Sequence, residues 1–146
     1  MTEPASPGPR AGLVLGVDPG ERRVGVAAAD LETRVAVPVE VIDATVDDPV
    51  SRVAAIAAEK SAQVIVVGRP TGLSGAAGPA VERQQLFVEQ LRNAAPVPVV
   101  EFDERLTSVV AQQGLRAGGG RRNARSKIVD AVAAQVMLQG YVDALR

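Results

Sequence analysis

Three acidic residues stand at positions where a carboxylate could do chemistry. Asp18 and Glu104 each follow an apolar run, while Asp130 interrupts the apolar segment "KIVDAVAAQVML". The sequence contains neither His nor Cys, so a metal site would depend on carboxylate oxygens, which favour hard ions such as Mg²⁺ or Mn²⁺. If the three acids converge, they could bind one or two such ions and support hydrolysis of a phosphodiester.

Each acid taken singly also has a simpler interpretation. Asp18 opens an Asp-Pro-Gly sequence, which is ordinary turn chemistry. Glu104 could be an acid at the start of a helix. Ser126 is predicted to cap the last helix, and Asp130 would then lie near its N-terminus, where the helix dipole stabilises a carboxylate. The metal-site hypothesis therefore requires a fold that brings the three together.

Hydrophobic patterns predict the elements that must position these acids. Asp47 and Asp48 with Pro49 indicate a helix start. Short links join the first three strands, which predicts an antiparallel meander. The order of elements predicts an α/β fold with a mixed five-stranded sheet flanked by helices. The predicted strands are 11–18, 22–30, 33–43, 62–68 and 97–102, and the predicted helices are 49–60, 80–94, one from about Thr107, and 126–145.

The composition indicates one domain over residues 11–146, preceded by a Pro-rich segment, 1–10, that is predicted to be a disordered tail. No signal peptide or membrane-spanning apolar run is evident, which predicts a cytoplasmic protein without a membrane partner. The net charge of −1 argues against a surface that binds polyanions everywhere. Any nucleic-acid contact must therefore come from local clusters of cations.

Four motifs occur in order along the chain: "GVDPGERRVGVA", "VVGRP" before a Gly-rich loop, "DERLT", and "KIVDAVAAQVMLQGYVD". In this order and spacing they resemble the YqgF family of bacterial proteins, which are Holliday-junction-resolvase-like enzymes also described as pre-16S rRNA processing nucleases. The resemblance implies a ribonuclease H-like fold and a divalent-metal active site. It also implies that Asp18, Glu104 and Asp130 are the catalytic, metal-binding carboxylates.

Residues 116–127 are the predicted nucleic-acid contact segment, because they combine five cations with three consecutive glycines and no acid. A solvated flexible loop is the alternative. Arg22, Arg23 and Arg105 adjoin two of the acids and could contact phosphate or balance local charge. The cations of the segment are Arg116, Arg121, Arg122, Arg125 and Lys127.

Lys127 leaves the number of metal ions open. Better-known resolvases resemble this chain but carry a second acid one helical turn before the last catalytic one, where this chain has Lys127. With i, i+3 spacing, Lys127 shares a helix face with Asp130 and could pair with it or reach the phosphate. The loop 69–78 is similarly open between a structural turn and a phosphate cradle, and it lacks the P-loop pattern.

The predicted activity is phosphodiester hydrolysis in structured RNA, with the 5′ end of pre-16S rRNA as the substrate that the resemblance implies. The same chemistry would suit a nuclease for branched or single-stranded DNA, and a junction resolvase should dimerise whereas an RNA-trimming enzyme can be a monomer. A non-catalytic nucleic-acid-binding module is a third possibility. An ATP-binding protein related to sugar kinases is disfavoured, because 146 residues supply only one of the two lobes required.

Overall fold

The computed structural model describes residues 11–69, 79–103 and 124–145, with the side chains of residues 80 and 124–131 excluded. The predicted tail, the loop 70–78 and the helix expected near Thr107 lie outside the described residues. The described elements are β1 (Leu13–Pro19), β2 (Arg23–Asp30), β3 (Val35–Asp43), α1 (Pro49–Glu59), β4 (Ala62–Arg69), α2 (Pro79–Ala94), β5 (Val99–Asp103) and α3 (Ala124–Ala144). Among them, no helix has the length and apolar character needed to cross a membrane.

The five strands form one mixed sheet in the order β3-β2-β1-β4-β5. The first three strands pair antiparallel as the predicted meander, because short connections reverse the chain between them. β4 pairs parallel with β1, and β5 pairs parallel with β4. The carboxyl ends of β1, β4 and β5 therefore lie at the same edge of the sheet.

The start of α1 confirms its sequence signal. Asp48 is the N-cap, and its side chain accepts a hydrogen bond from the Ser51 main-chain N–H at 3.4 Å. Pro49 occupies the first helical turn, where its missing N–H removes no intrahelical bond. Arg52 of this helix donates to Glu40 on β3 at 2.9 and 2.8 Å, which ties α1 to the edge strand.

The start of α3 corrects one prediction. Ser126 is predicted to cap this helix, but the described helix already includes Ala124 and Arg125, so Ser126 lies inside it. Ala and Arg have high helix propensity, which favours helix ahead of the predicted cap. At least six helical residues, 124–129, therefore precede Asp130. The interpretation of Asp130 as an acid stabilised by the helix dipole required a position within the first turn, which this helix does not give it.

Helices cover both faces of the sheet and create two hydrophobic cores. On one face, α1 and α2 pack on Leu15, Val17 and their neighbours. On the other face, α3 packs on Val14, Ala27 and Ala29. Successive residues of a strand point to opposite faces, so β1 contributes alternately to each core. This alternation decides which helix each residue at the end of β1 faces.

Candidate active site

Asp18 lies on the α3 face of the sheet, at the carboxyl end of β1. It is two residues beyond Gly16, whose Cα faces Leu138 of α3, and four beyond Val14, which belongs to the α3 core. Its Cα pairs with Gly25 on β2, so its backbone belongs to the strand ladder. Asp18 is partly buried. The position is that of a side chain presented at a strand end, as the sequence predicts.

The turn after Asp18 is closed by glycine. The Gly20 N–H donates to the Arg23 carbonyl at 2.8 Å. A Cβ at residue 20 would stand 2.6 Å from that same carbonyl oxygen, a distance that real Cβ atoms do not adopt. Gly20 therefore permits the tight reversal, and this main-chain bond closes it directly after the strand that carries Asp18.

The predicted site edge holds three parallel strand ends. Val17 pairs with Val67 on β4, and Arg69 at the end of β4 pairs with Asp103 at the end of β5. Two strand spacings, about 10 Å, therefore separate the end of β1 from that of β5. Glu104 follows Asp103 in the sequence but lies outside the described residues. Its role as a metal ligand stays a prediction.

Helix α3 runs opposite to β1. The carbonyls of Val142, in its last turn, and of Leu145, just beyond it, accept hydrogen bonds from Arg34, which lies in the turn between β2 and β3, at the edge where β1 begins. Leu138 packs over Gly16 midway along β1. The N-terminal half of α3 is thus directed toward the edge where β1 ends. Asp130 belongs to that half, eight residues or about 12 Å along the axis from Leu138.

The predicted cations divide between described and undescribed residues. Arg22 is exposed and Arg23 partly buried, and both follow the turn at the carboxyl end of β1. The Arg22 carbonyl accepts from the Ala44 N–H at 2.8 Å, which fixes this segment to the end of β3. Arg125 and Lys127 belong to α3, but the structure describes only their backbone. Those outside the described residues altogether are Arg105, Arg116, Arg121 and Arg122.

Sequence reasoning missed two residues of α2 that border the site edge. Arg83 lies 3.9 Å from Glu21 and helps line a groove of 420 Å³ beside the Pro19-Gly20 turn. Among the described residues, Gln84 alone is a buried polar residue. Its side chain donates to the Gly68 carbonyl near the end of β4 at 2.8 Å. Its signal in the sequence was a polar residue at helical spacing with the buried Val88 and Leu91.

The aromatic side chains belong to the cores, as predicted. Phe102 on β5 and Tyr141 on α3 meet edge to face, with ring centroids 5.8 Å apart. Burial raises the pKa of the Tyr141 hydroxyl. Phe87 packs against the core under α1 and α2. These contacts use the rings for packing.

The chemistry available at this edge is that of oxygen ligands. Within residues 11–69, 79–103 and 124–145, no group of three or more potential ligands comes together to hold a metal ion. The predicted ligand set adds the carboxylates of Glu104 and Asp130, neither of which is among the described side chains, to that of Asp18. An all-carboxylate donor set fits a hard divalent cation.

Comparison with known proteins agrees with this architecture. Residues 12–144 match a family model described as RuvX, Holliday junction resolvase. A Chloroflexus aggregans protein named as a pre-16S rRNA nuclease is 42% identical over 134 residues, which cover 91% of this chain and 94% of that protein. A Thermobifida fusca protein of the same name is 42% identical over 145 residues, covering 94% and 91%.

Solved structures are similar in fold. RuvC from T. thermophilus in complex with a Holliday junction substrate gives a TM-score of 0.56 at 17% identity, over 90% of this chain and 95% of that one. The fowlpox virus Holliday junction resolvase gives 0.51 at 12% identity, over 91% and 99%. These likenesses confirm the predicted ribonuclease H-like architecture of a mixed five-stranded sheet with helices on both faces.

Proposed function

The chain belongs to the RuvX family, and from this premise we propose that it is a divalent-metal-dependent nuclease that processes the 5′ end of pre-16S rRNA. The observation that carries the proposal is the 42% identity, over more than nine-tenths of both chains, with relatives named as pre-16S rRNA nucleases. The proposal assigns the protein to the cytoplasm, where it acts on structured RNA during ribosome biogenesis.

In the proposed site, Asp18, Glu104 and Asp130 would hold one or two Mg²⁺ or Mn²⁺ ions. When bound, the metal would supply Lewis-acid chemistry at the phosphoryl group and would lower the pKa of a coordinated water. The reaction adds water across a P–O bond and yields a phosphomonoester and a hydroxyl. The chain has no His, so its own residues contribute carboxylates that bind the metal and cations that bind phosphate.

The proposed nucleic-acid contacts are arginines with Lys127. Arg22 and Arg23 support this role because they follow the turn beside Asp18, at the edge where the substrate phosphate would lie. The remaining contacts are proposed from the sequence, with Arg105 next to Glu104 and the segment 116–127 leading into α3. Guanidinium groups match phosphate oxygens and make affinity depend on salt.

A DNA junction nuclease is the second candidate. The family description and the RuvC structure with its Holliday junction favour it. A resolvase that makes two symmetric cuts should be a homodimer, whereas a monomer suffices for RNA trimming. Oligomeric state measured with and without substrate therefore separates the two candidates.

The decisive experiment is cleavage of three matched substrates: a pre-16S rRNA 5′ segment, a single-stranded RNA, and a four-way DNA junction, each with Mg²⁺ or Mn²⁺. We expect metal-dependent cleavage of the pre-16S RNA and a loss of more than about 100-fold in Asp18→Asn, since even residues that only support metal ligands contribute 10- to 100-fold. Preferred cleavage of the junction would select the second candidate.

Asp30→Asn is the matched control. Asp30 lies at the opposite edge of the sheet from Asp18, and its Oδ1 accepts from the Glu32 N–H at 2.7 Å, a bond that Asn can keep. The substitution removes one negative charge, as Asp18→Asn does, and we expect full activity. Binding of RNA without cleavage by folded wild type would instead identify a non-catalytic binding module.

A further inference from the structure

Three polar side chains tie the C-terminal half of α3 to the first residues of β3. Gln139 accepts from the Ala36 N–H at 2.9 Å and donates to the Arg34 carbonyl at 2.9 Å. Gln135 donates to the Ala36 carbonyl at 3.0 Å. Arg34 Nη2 donates to the carbonyls of Val142 and Leu145 at 2.6 and 3.0 Å. We refer to Arg34, Gln135 and Gln139 as the β3 clamp.

The two glutamines bind main-chain groups of the outer strand and leave α3 little freedom to slide along it. β3 is an outer strand, and alternate main-chain groups of such a strand point away from its neighbour. Ala36 is 1% exposed, so its outward N–H and C=O need partners in the protein. Because Gln135 and Gln139 lie one helical turn apart, they can serve both groups only at one axial position of the helix.

Arg34 fixes the same axial position of α3, but its side chain reaches from the sheet to the helix. It has a φ of +59°, in the left-handed region that favours glycine, so the backbone is unfavourable for a side chain of this kind. Its guanidinium nevertheless reaches two carbonyls at the C-terminal end of α3, where the dipole is negative. The contact joins residues more than 100 positions apart in the sequence.

The clamp lies far from the reacting atoms but on the helix that carries Asp130. From Val142 back to Asp130 is twelve residues, or about 18 Å along the axis. Arg34 therefore cannot reach a phosphate bound near Asp18. A helix transmits an axial shift along its length, however, and a misplacement of about 1 Å in catalytic geometry can lower the rate by about 10²-fold.

We propose that the β3 clamp consists of positioning residues that set the axial position of α3 against β1 and thereby the distance between Asp130 and Asp18. The inference rests on the proposed function, because it takes Asp130 as a catalytic carboxylate. It goes beyond that function by assigning a role to residues at the opposite edge of the sheet from the site.

The test compares Arg34→Met with Arg52→Met in the cleavage assay. Both variants remove an arginine that joins β3 to a helix, but Arg52 bonds Glu40 and holds α1 on the other face. For Arg34→Met we expect kcat to fall by about tenfold or more while KM for the RNA stays within about twofold. For Arg52→Met we expect wild-type kcat.

A conservative variant separates positioning from folding. Arg34→Lys keeps a donor for one of the two carbonyls and should recover part of kcat. Gln139→Met keeps side-chain length without hydrogen bonds and should lower kcat as Arg34→Met does. All assays are run well below the melting temperature of the least stable variant, so that folded protein is compared with folded protein.

The outcomes separate the two proposals. Wild-type kcat in folded Arg34→Met and Gln139→Met, or an equal loss of kcat in Arg52→Met, overturns the clamp and leaves the nuclease proposal standing. No cleavage by folded wild type overturns the proposed function and the clamp with it. Loss of kcat in Arg34→Met alone, with partial recovery in Arg34→Lys, supports the clamp.

Discussion

The two faces of the sheet are packed with side chains of different size. The face under α1 and α2 is filled by branched aliphatic residues, among them Leu15, Val17, Val24, Val26, Ile42, Ile56, Ile65 and Leu91. The strands under α3 carry small residues at Gly16, Ala27, Ala29 and Ala36, beside larger ones such as Val14 and Val66, and α3 itself adds Ala134. Small residues let the backbone of a helix approach the backbone of a sheet.

This difference suggests that the two faces have different roles: both contribute to the stability of the fold, but one also fixes the position of α3. On the branched face, a change of volume meets side-chain atoms that can change rotamer, which costs stability but need not displace α3. On the small-residue face, a Cβ at residue 16 would stand 2.8 Å from the Cβ of Leu138, an atom that moves only if α3 moves. We therefore expect both faces to support folding, but the α3 face alone to hold the proposed catalytic helix in place.

The largest expected effect comes from Leu138→Ala and Leu91→Ala, a pair that tests this comparison directly. Both leucines are fully buried on a helix that covers the sheet, Leu91 on α2 and Leu138 on α3, one on each face. Each substitution leaves a cavity and should lower the free energy of unfolding by about 2–5 kcal/mol. Thermal or denaturant unfolding measures the loss. In the cleavage assay, kcat should fall in Leu138→Ala and remain near wild type in Leu91→Ala.

Equal catalytic loss in the two leucine variants at equal loss of stability would contradict the division of roles. The assay temperature must keep both variants folded, since a partly unfolded sample mimics a slower enzyme. Active-site titration with a non-cleavable RNA would count the competent molecules in each sample and so remove that ambiguity.

A smaller change in stability is expected from Gly16→Ala, which adds one carbon between β1 and α3. The added methyl group collides with the Cβ of Leu138 and forces the helix outward. The free energy of unfolding should fall by about 1–3 kcal/mol. Because Asp18 lies two residues from Gly16, or about 7 Å along the strand, kcat should fall with little change in KM. Unfolding and cleavage measured on one sample test both expectations.

Val53→Ile is the control for Gly16→Ala. Val53 is fully buried on α1 and also gains one carbon, but in the core on the opposite face. The fit of the new methyl group decides the sign of the change in the free energy of unfolding, yet kcat should not change. A fall in kcat of similar size in both variants would mean that the sheet transmits strain from either face.

Local signals in the sequence predicted most of the fold. The continuous apolar run of β4 and the Asp48-Pro49 start of α1 depend on neighbouring residues, and both are confirmed. The alternating valines predicted β3 but not its exposure: Val35 and Val37 are 55% and 50% exposed. These residues lie on an edge strand beyond the cover of α1 and α2, and edge position is a property of topology that no local pattern contains.

The candidate site was predictable in part for the same reason. Asp18 ends the apolar run of β1 and a Pro-Gly turn marks the strand end, so its position could be read from adjacent residues. The β3 clamp could not, because it joins Arg34 to residues beyond position 130 and appears only once α3 lies on the sheet. Gln84 was missed since its partner, Gly68, belongs to another element.

The smallest expected effect concerns pH and two contacts that hold helices to the β3 side of the sheet. We call the bonds from Arg52 to Glu40 the α1 anchor, and the bonds from Arg34 to the end of α3 the α3 anchor. The hydrogen bond from Arg52 holds the pKa of the Glu40 carboxyl below its usual value of 4.5. A carboxyl with a lowered pKa contributes stability above its unfolded-state pKa and loses it as pH falls through the folded-state value. The α1 anchor should therefore weaken below about pH 4.5. The α3 anchor should not, because the acceptors of Arg34 are main-chain carbonyls, which do not titrate.

Unfolding of wild type, Glu40→Gln and Arg34→Met between pH 3 and 7 measures this difference. The stability gap between wild type and Glu40→Gln should be small, because the paired side chains are 37% and 31% exposed and water and salt screen them. That gap should close as the pH falls below 4.5, whereas the gap for Arg34→Met should persist. If both stability differences vanish together as the pH falls, the two anchors respond to one shared acidic group. The α3 anchor is then not the pH-independent contact that its carbonyl acceptors imply.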